Sequence, residues 1–266
     1  MAEHAPSDDA VARPLAGRHA VVTGAGQGIG AAIAERLAGE GARVSLTGRR
    51  LEPIKERAEA LPDALAIPMD VTDAASVATG FSKIVEQFGP VDILINNAGA
   101  AESARFMTSD DDMWQRMLDV NLLGPRACMR AVLPNMMEQG RGRIVMIAST
   151  AGLTGYAYTS AYCAAKHAVV GLTRSLALEL AKTGITVNAV CPGFTDTEMV
   201  ARSVAKIEEQ TSRTAEQARG ELTRFNPQGR LIDPAEVAAA VAYLCRDEAA
   251  GVTGQALVVA GGEIMS

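Results

Sequence analysis

Short runs of β-branched and apolar residues alternate along this chain with longer stretches whose apolar positions recur at helical spacing. The short runs are HAVVT (19–23), ARVSL (42–46), LAIP (65–68), VDILI (91–95), RIVMIA (143–148), ITVNAV (185–190) and ALVVA (256–260). Several lack any polar alternation, the pattern of strands covered on both faces. The longer stretches predict helices near 29–39, 51–60, 74–88, 111–137, 158–182 and 234–246. Strands and helices alternating in this way predict βαβ units in one parallel sheet. The expected fold class is therefore α/β, a doubly wound sheet of seven parallel strands with helices on both faces. The interval 196–228 breaks the rhythm, being polar and helical without a clear strand. An insertion of that kind is where a lid would lie.

Composition narrows this picture without changing it. The chain has 266 residues, 48% hydrophobic and 21% charged, enough to bury the core of one large α/β domain over residues 15–266. Residues 1–14, MAEHAPSDDAVARP, are acidic without an apolar centre, so they read as a mobile tail and not as a signal peptide. A net charge of −6 argues against nucleic acid as a partner. No apolar run approaches the roughly 18 residues of a membrane helix, so no membrane partner is expected either. Cys128, Cys163, Cys191 and Cys245 form no CxxC pair, and His4, His19 and His167 show no metal-ligand spacing. Buried reduced thiols, no metal and a cytoplasmic location are the expectation.

Candidate chemistry begins at VVTGAGQGIGAAIAERLA, where a buried strand passes through Gly24, Gly26, Gly28 and Gly30 into an amphipathic helix. Glycines allow a tight turn and close approach of a ligand, and the helix that follows offers unpaired N–H groups to a pyrophosphate. Strand before and helix after is the context a dinucleotide site requires. Gln27 and Ile29 lie within the same turn. NNAG, with Asn97, Ala98 and Gly99, follows the fourth strand at the edge where such a sheet binds its ligand. Asp70 and Val71, after the third strand, stand where an adenine could be held, although Asp70 could equally cap its own turn.

In SAYCAAK, Tyr162 and Lys166 are four residues apart and share one face of a helix. A free tyrosine has a pKa of about 10. A neighbouring ammonium favours the phenolate, so the pair reads as an acid/base whose pKa is lowered toward the working pH. Alone, the pair could equally be a core tyrosine beside a solvated lysine.

Taken together, TGxxxGxG (Thr23, Gly24, Gly28, Gly30), NNAG (96–99), Asn121 in DVNLLG, Ser149 in IAST, YxxxK (Tyr162, Lys166) and CPGFTDTEM resemble the short-chain dehydrogenase/reductase family in its single-domain Rossmann form. The resemblance covers nearly all of residues 17–262. The chain looks most like bacterial 3-ketoacyl and polyketide ketoreductases and hydroxyacyl dehydrogenases. It departs from the family pattern at Ala260, where many members have Asp, and at Gln27, where many have Ser. The resemblance implies hydride transfer between a nicotinamide cofactor and a ketone or secondary alcohol, the substrate being a small carbonyl compound or an acyl thioester. It also implies that Lys166 holds the nicotinamide ribose, that Ser149 binds the substrate oxygen, and that Asn121 supports a water in a proton relay. Pro192, Gly193 and Phe194 would touch the nicotinamide carboxamide, with Thr195 or Thr197 helping. A homodimer or homotetramer is expected on the same ground. An NAD-dependent 3-hydroxyacyl or alcohol dehydrogenase, or a catalytically silent cofactor sensor, remains as an alternative.

Cofactor choice is read from TGRR. NAD-binding versions of this fold carry an acid about 20 residues beyond the glycines for the ribose 2′-hydroxyl. Here Gly48 stands at that place, no acid lies between Gly41 and Leu51, and Arg49 and Arg50 follow. A guanidinium suits a 2′-phosphate, so NADP(H) is expected over NAD(H), with Arg49 as the main contact.

Overall fold

The computed structural model describes residues 13–265. Its seven strands are β1 (His19–Thr23), β2 (Arg43–Gly48), β3 (Ala64–Pro68), β4 (Ile93–Asn96), β5 (Gly142–Ile147), β6 (Ile185–Pro192) and β7 (Ala256–Val259). They form one sheet in the order β3-β2-β1-β4-β5-β6-β7, every pair parallel. The order reverses between β1 and β4, and the crevice at such a reversal is where open α/β sheets take their ligands. Pro68, which lacks an N–H, is tolerated because β3 is an edge strand.

The helices are α1 (Gly28–Gly39), α2 (Leu51–Glu59), α3 (Ala74–Phe88), α4 (Asp111–Leu118), α5 (Gly124–Gln139), α6 (Ser160–Glu179), α7 (Glu198–Gln210), α8 (Ala215–Thr223) and α9 (Pro234–Cys245). In α1 the buried residues Gly30, Ala31, Ile33, Ala34, Leu37 and Ala38 make one helical stripe. That stripe joins α2 and α9 in a core on one face of the sheet. Val77, Phe81 and Ile84 of α3, Cys128, Val132 and Met136 of α5, and Val169 and Val170 of α6 fill the other face. Burial on both faces explains why strands such as β1 and β4 are apolar throughout.

The fold class matches the expectation, and one local feature differs. The single helix expected over 111–137 is α4 and α5 joined by a π-helical turn, Asp119–Leu123. Asn121 Nδ2 donates to the Met117 carbonyl at 3.0 Å and to the Ala100 carbonyl at 2.9 Å, competing with the backbone for its acceptor. Pro125 has no N–H to give the carbonyl of Asn121, so the regular ladder cannot run through this turn. The interval 196–228 is helical as expected: it holds α7 and α8, with a small cluster of Val200, Leu222 and Leu231 against which Phe194 packs. Most of the tail expected over 1–14 lies outside the described residues. Among the described residues, no helix is long and apolar enough to cross a membrane.

Candidate active site

Most of the residues singled out from the sequence meet along the carboxyl edge of β1, β4, β5 and β6. Thr23, at the end of β1, is the hub of the first group. Its buried hydroxyl accepts the N–H groups of Asn97 and Ala98, each at 3.0 Å. Asn97 Nδ2 in turn donates to the carbonyls of Thr23 (2.9 Å) and Gly24 (3.1 Å). The glycine-rich turn and NNAG are thus locked to each other. Gly24 has φ +64°, and a side chain there would come within 2.9 Å of Ala98 Cα. At Gly30 a Cβ would run into the Gly24 carbonyl and Asn97 Nδ2. The turn is closed to any larger residue at these positions.

The Gln27 side chain does not cap α1. The first N–H groups of the helix, at Gly28, Ile29 and Gly30, therefore keep no intrahelical acceptor and could hold an anion. Arg50 Nη2 donates to Gln27 Oε1 at 3.1 Å, which places one guanidinium on the rim of this turn. Arg49 is exposed and has no hydrogen-bond or ion-pair partner among the described residues. Thr197, just before α7, packs within about 3.3 Å of where a Gly28 side chain would start, so the insertion reaches the glycine-rich turn. Asp70 behaves as its turn-capping alternative: Oδ1 accepts from the Thr72 N–H at 2.9 Å and from its hydroxyl at 2.7 Å. Val71 is buried against the start of α5.

The second group lies under β5. Lys166 is 5% exposed and donates from Nζ to the Ile147 carbonyl at 2.8 Å. Asn121 is buried, and its Oδ1 has no hydrogen-bond partner among the described residues. A side chain built at Gly99 would stand 2.8 Å from that oxygen and 3.6 Å from Lys166 Nζ. Gly99, Asn121 and Lys166 therefore border one small polar space. Ser149 caps the short helical turn Thr150–Gly152 by accepting the Ala151 N–H at 3.1 Å, and it also hydrogen-bonds the Tyr162 phenol.

The electrostatics depart from the sequence expectation. Burial pushes the Tyr162 phenol up to about 12, offset in part by the hydrogen bond from Ser149. Burial also pulls Lys166 down to about 8. The ammonium stands 5.6 Å from the centre of the Tyr162 ring and directs its hydrogen bond at a carbonyl. Desolvation, which favours the neutral form of both groups, outweighs the expected stabilisation of the phenolate. At neutral pH the phenol keeps its proton and can donate it.

The third group is the PGF turn after β6. Pro192 ends the strand, and Thr195 and Thr197 use their hydroxyls within the turn, on the carbonyls of Gly193 (3.0 Å) and Thr195 (3.2 Å). Phe194 meets Tyr156 edge-on with ring centres 5.9 Å apart, and Phe225 stands 5.5 Å from Tyr156. Tyr156 borders this side. Thr150, Phe225 and Glu263 belong to the same neighbourhood and carried no motif. Along the sequence, Glu263 differs from its surroundings only in being the one charged residue after Glu248.

Outside these groups, all four cysteines are free and buried. His19 is a satisfied core histidine, with Nδ1 3.0 Å from the Gly89 carbonyl and Nε2 2.9 Å from Ser45 Oγ. Among the described residues, no group of three or more His, Cys, Asp or Glu could hold a metal.

Comparison with known proteins identifies the family. A sequence profile of the short chain dehydrogenase family matches residues 18–208. The chain is 40% identical over 252 residues to the 3-oxoacyl-[acyl-carrier-protein] reductase FabG of Vibrio cholerae, covering 94% of this chain and 99% of that one. It is 42% identical over 248 residues to the uncharacterized oxidoreductase YxjF of Bacillus subtilis, covering 91% and 96%. The crystal structure of a substituted actinorhodin polyketide ketoreductase with NADPH superposes with a TM-score of 0.90 at 41% identity, covering 92% of this chain and 97% of that one. With the profile over most of its length and relatives matched nearly end to end, this chain is an oxidoreductase of the short-chain dehydrogenase/reductase family.

Proposed function

We propose that the protein reduces a ketone, of 3-ketoacyl or polyketide type, with NADPH. Asn121, Ser149, Tyr162 and Lys166 act on the substrate oxygen and its proton. The observation that carries this reading is the burial of Lys166 beside the unpartnered Asn121 oxygen, one helical turn from a phenol held by Ser149. The names of similar proteins point the same way, a 3-oxoacyl reductase and a polyketide ketoreductase crystallised with NADPH.

The residues fit a dinucleotide. The uncapped start of α1 and the closed turn at Gly24–Gly30 would take the pyrophosphate, and Arg49 the 2′-phosphate. Asn97, Ala98, Gly99 and the PGF turn would line the nicotinamide side, with Thr195 and Thr197 on its edge, and Asp70 and Val71 near the adenine. When bound, the nicotinamide supplies the hydride. Ser149 then orients the carbonyl oxygen and stabilises the charge growing on it. Tyr162 gives its proton to that oxygen. Lys166 holds the ribose, and its ammonium lowers the cost of the phenolate left behind. Asn121 Oδ1 accepts from a water that passes the replacement proton toward Lys166.

The direction of the pKa shifts predicts a pH profile. Lys166 is an ammonium below about pH 8 and neutral above it, so its support for the phenolate is lost as pH rises through that value. The kcat/KM for NADPH reports groups of the free enzyme and is expected to fall above about pH 8. A profile flat to pH 10 would contradict the role of Lys166.

The segment 196–228 acts as the lid. Lys206 of α7 donates to the Ser103 carbonyl at 2.9 Å and to its hydroxyl at 3.1 Å, bridging the insertion to the loop before α4. Amides of α7 and α8 are expected to exchange faster than those of α6 in the free protein and to slow once cofactor and ketone bind. Identical exchange in both states would remove the lid. Apolar Leu178 on α6 and Met137 on α5 are exposed, and a second copy covering them fits the expected dimer or tetramer.

A further inference from the structure

After β7 the chain turns through Gly261 (φ +60°) and Gly262 (φ +93°), and Glu263 points back into the molecule. One carboxylate oxygen, Oε1, accepts a short hydrogen bond from the Tyr156 hydroxyl. The other, Oε2, is buried without a hydrogen-bond partner among the described residues. It packs against Gly193 so closely that a side chain there would come within 2.8 Å of it. Tyr156 Oη is also 2.8 Å from Thr150 Oγ1, and Thr150 directly follows Ser149. At the same turn, Gly261 is pressed onto Asn226, the neighbour of Phe225. The carboxyl group thus joins the loop after Ser149 to the PGF turn, and the glycine turn that carries it meets the end of the insertion.

Those three segments each contribute one ring to an aromatic cluster. Tyr156 lies edge-on to Phe194 and to Phe225, and the two phenylalanines are 5.6 Å apart. Aromatic pairs of this kind prefer defined mutual angles, and the hydrogen bonds of the Tyr156 hydroxyl to Glu263 and Thr150 help fix where its ring stands. We infer that Glu263 is a positioning residue for substrate specificity: its carboxyl anchors the Tyr156 hydroxyl and so holds the Tyr156–Phe194–Phe225 wall ready for the ring-bearing or bulky part of a ketone. The inference rests on the proposed ketone-reducing site. A preset wall saves the cost of ordering three side chains on binding. A small ketone that ends short of the wall does not draw on it. Glu263 therefore acts on the choice among ketones, through Tyr156, and touches neither the hydride nor the proton.

The test compares 2-tetralone, a bicyclic ketone, with 2,3-butanedione, a small one, in wild type and in Glu263→Leu, Glu263→Gln and Tyr156→Phe. Glutamine, of the same shape and with a side-chain oxygen that can accept from Tyr156, is the conservative replacement. Loss of the hydrogen bond in Glu263→Leu is expected to raise KM for 2-tetralone about tenfold, with kcat and the kinetics of 2,3-butanedione changed less than about threefold. Glu263→Gln still offers Tyr156 an acceptor and should restore the preference. Tyr156→Phe breaks the same bond from its other end, and combining it with Glu263→Leu should add little. It also serves if Glu263→Leu does not fold. Equal losses on both ketones, no rescue by glutamine, or an unchanged preference in Tyr156→Phe would overturn the inference. Tyr162→Phe separates the two readings: if it keeps wild-type turnover, the proposed function fails, whatever the Glu263 variants do.

Discussion

Tyr162→Phe is expected to lose ketone turnover by about two to four powers of ten, the usual contribution of general acid–base catalysis. The substitution removes one hydroxyl and leaves the ring in place, so affinity for NADPH should stay near that of the wild type. The size of the loss follows from the electrostatics. With the phenol pushed up to about 12, the protonated form dominates at neutral pH, and that is the form able to donate to a developing alkoxide. Its partner Ser149 remains in the variant, so residual turnover measures what carbonyl orientation and polarisation achieve alone. Lys166→Ala should differ in kind, because it would also remove the proposed ribose contact and weaken cofactor binding. Stopped-flow reduction of a diketone with both variants would distinguish them. Near-wild-type turnover in Tyr162→Phe would end the proposed mechanism.

A preference for NADPH over NADH of roughly 10- to 100-fold in kcat/KM is the second large effect expected. It corresponds to one hydrogen bond to a charged group, about 1.5–3 kcal/mol. Gly48 ends β2 without an acid to hold a 2′-hydroxyl, and a free carboxylate there would repel a 2′-phosphate. The two arginines that follow are not equivalent. Arg50 is already engaged with Gln27, whereas Arg49 is exposed and uncommitted among the described residues. Gly48→Asp combined with Arg49→Leu should therefore reverse the preference, while Arg50→Leu alone should weaken both cofactors to a similar degree. If wild type prefers NADH, the assignment of Arg49 is wrong, and an NAD-dependent dehydrogenase working toward oxidation becomes the better reading.

Much of this was legible along the chain because it depends on periodicity and on short-range chemistry. Strands buried on both faces must be apolar throughout, so all seven stood out, with ends that shifted by a residue or two. The glycine-rich turn was legible because only glycine fits beside Ala98 and Asn97, and that constraint is written as spacing within one motif. Tyr162 and Lys166 were legible because four residues on a helix place two side chains on one face. The break at Asn121 was not, since a helical pattern does not reveal that a side-chain amide will compete for the carbonyls of Met117 and Ala100.

The sequence by itself determined the α/β class, the family and the set of residues that would gather at the carboxyl edge of the sheet. Those properties follow from local pattern, and local pattern survives without coordinates. Only the tertiary structure decided the balance of charge within the site. Whether Lys166 stabilises a phenolate or burial keeps Tyr162 protonated depends on how much water the surrounding elements exclude. The tertiary structure also decided that Glu263, 107 positions from Tyr156, would close the aromatic wall. A contact between segments so distant in the chain leaves no periodic trace, because it is made by how the sheet stacks its strands and where its loops return.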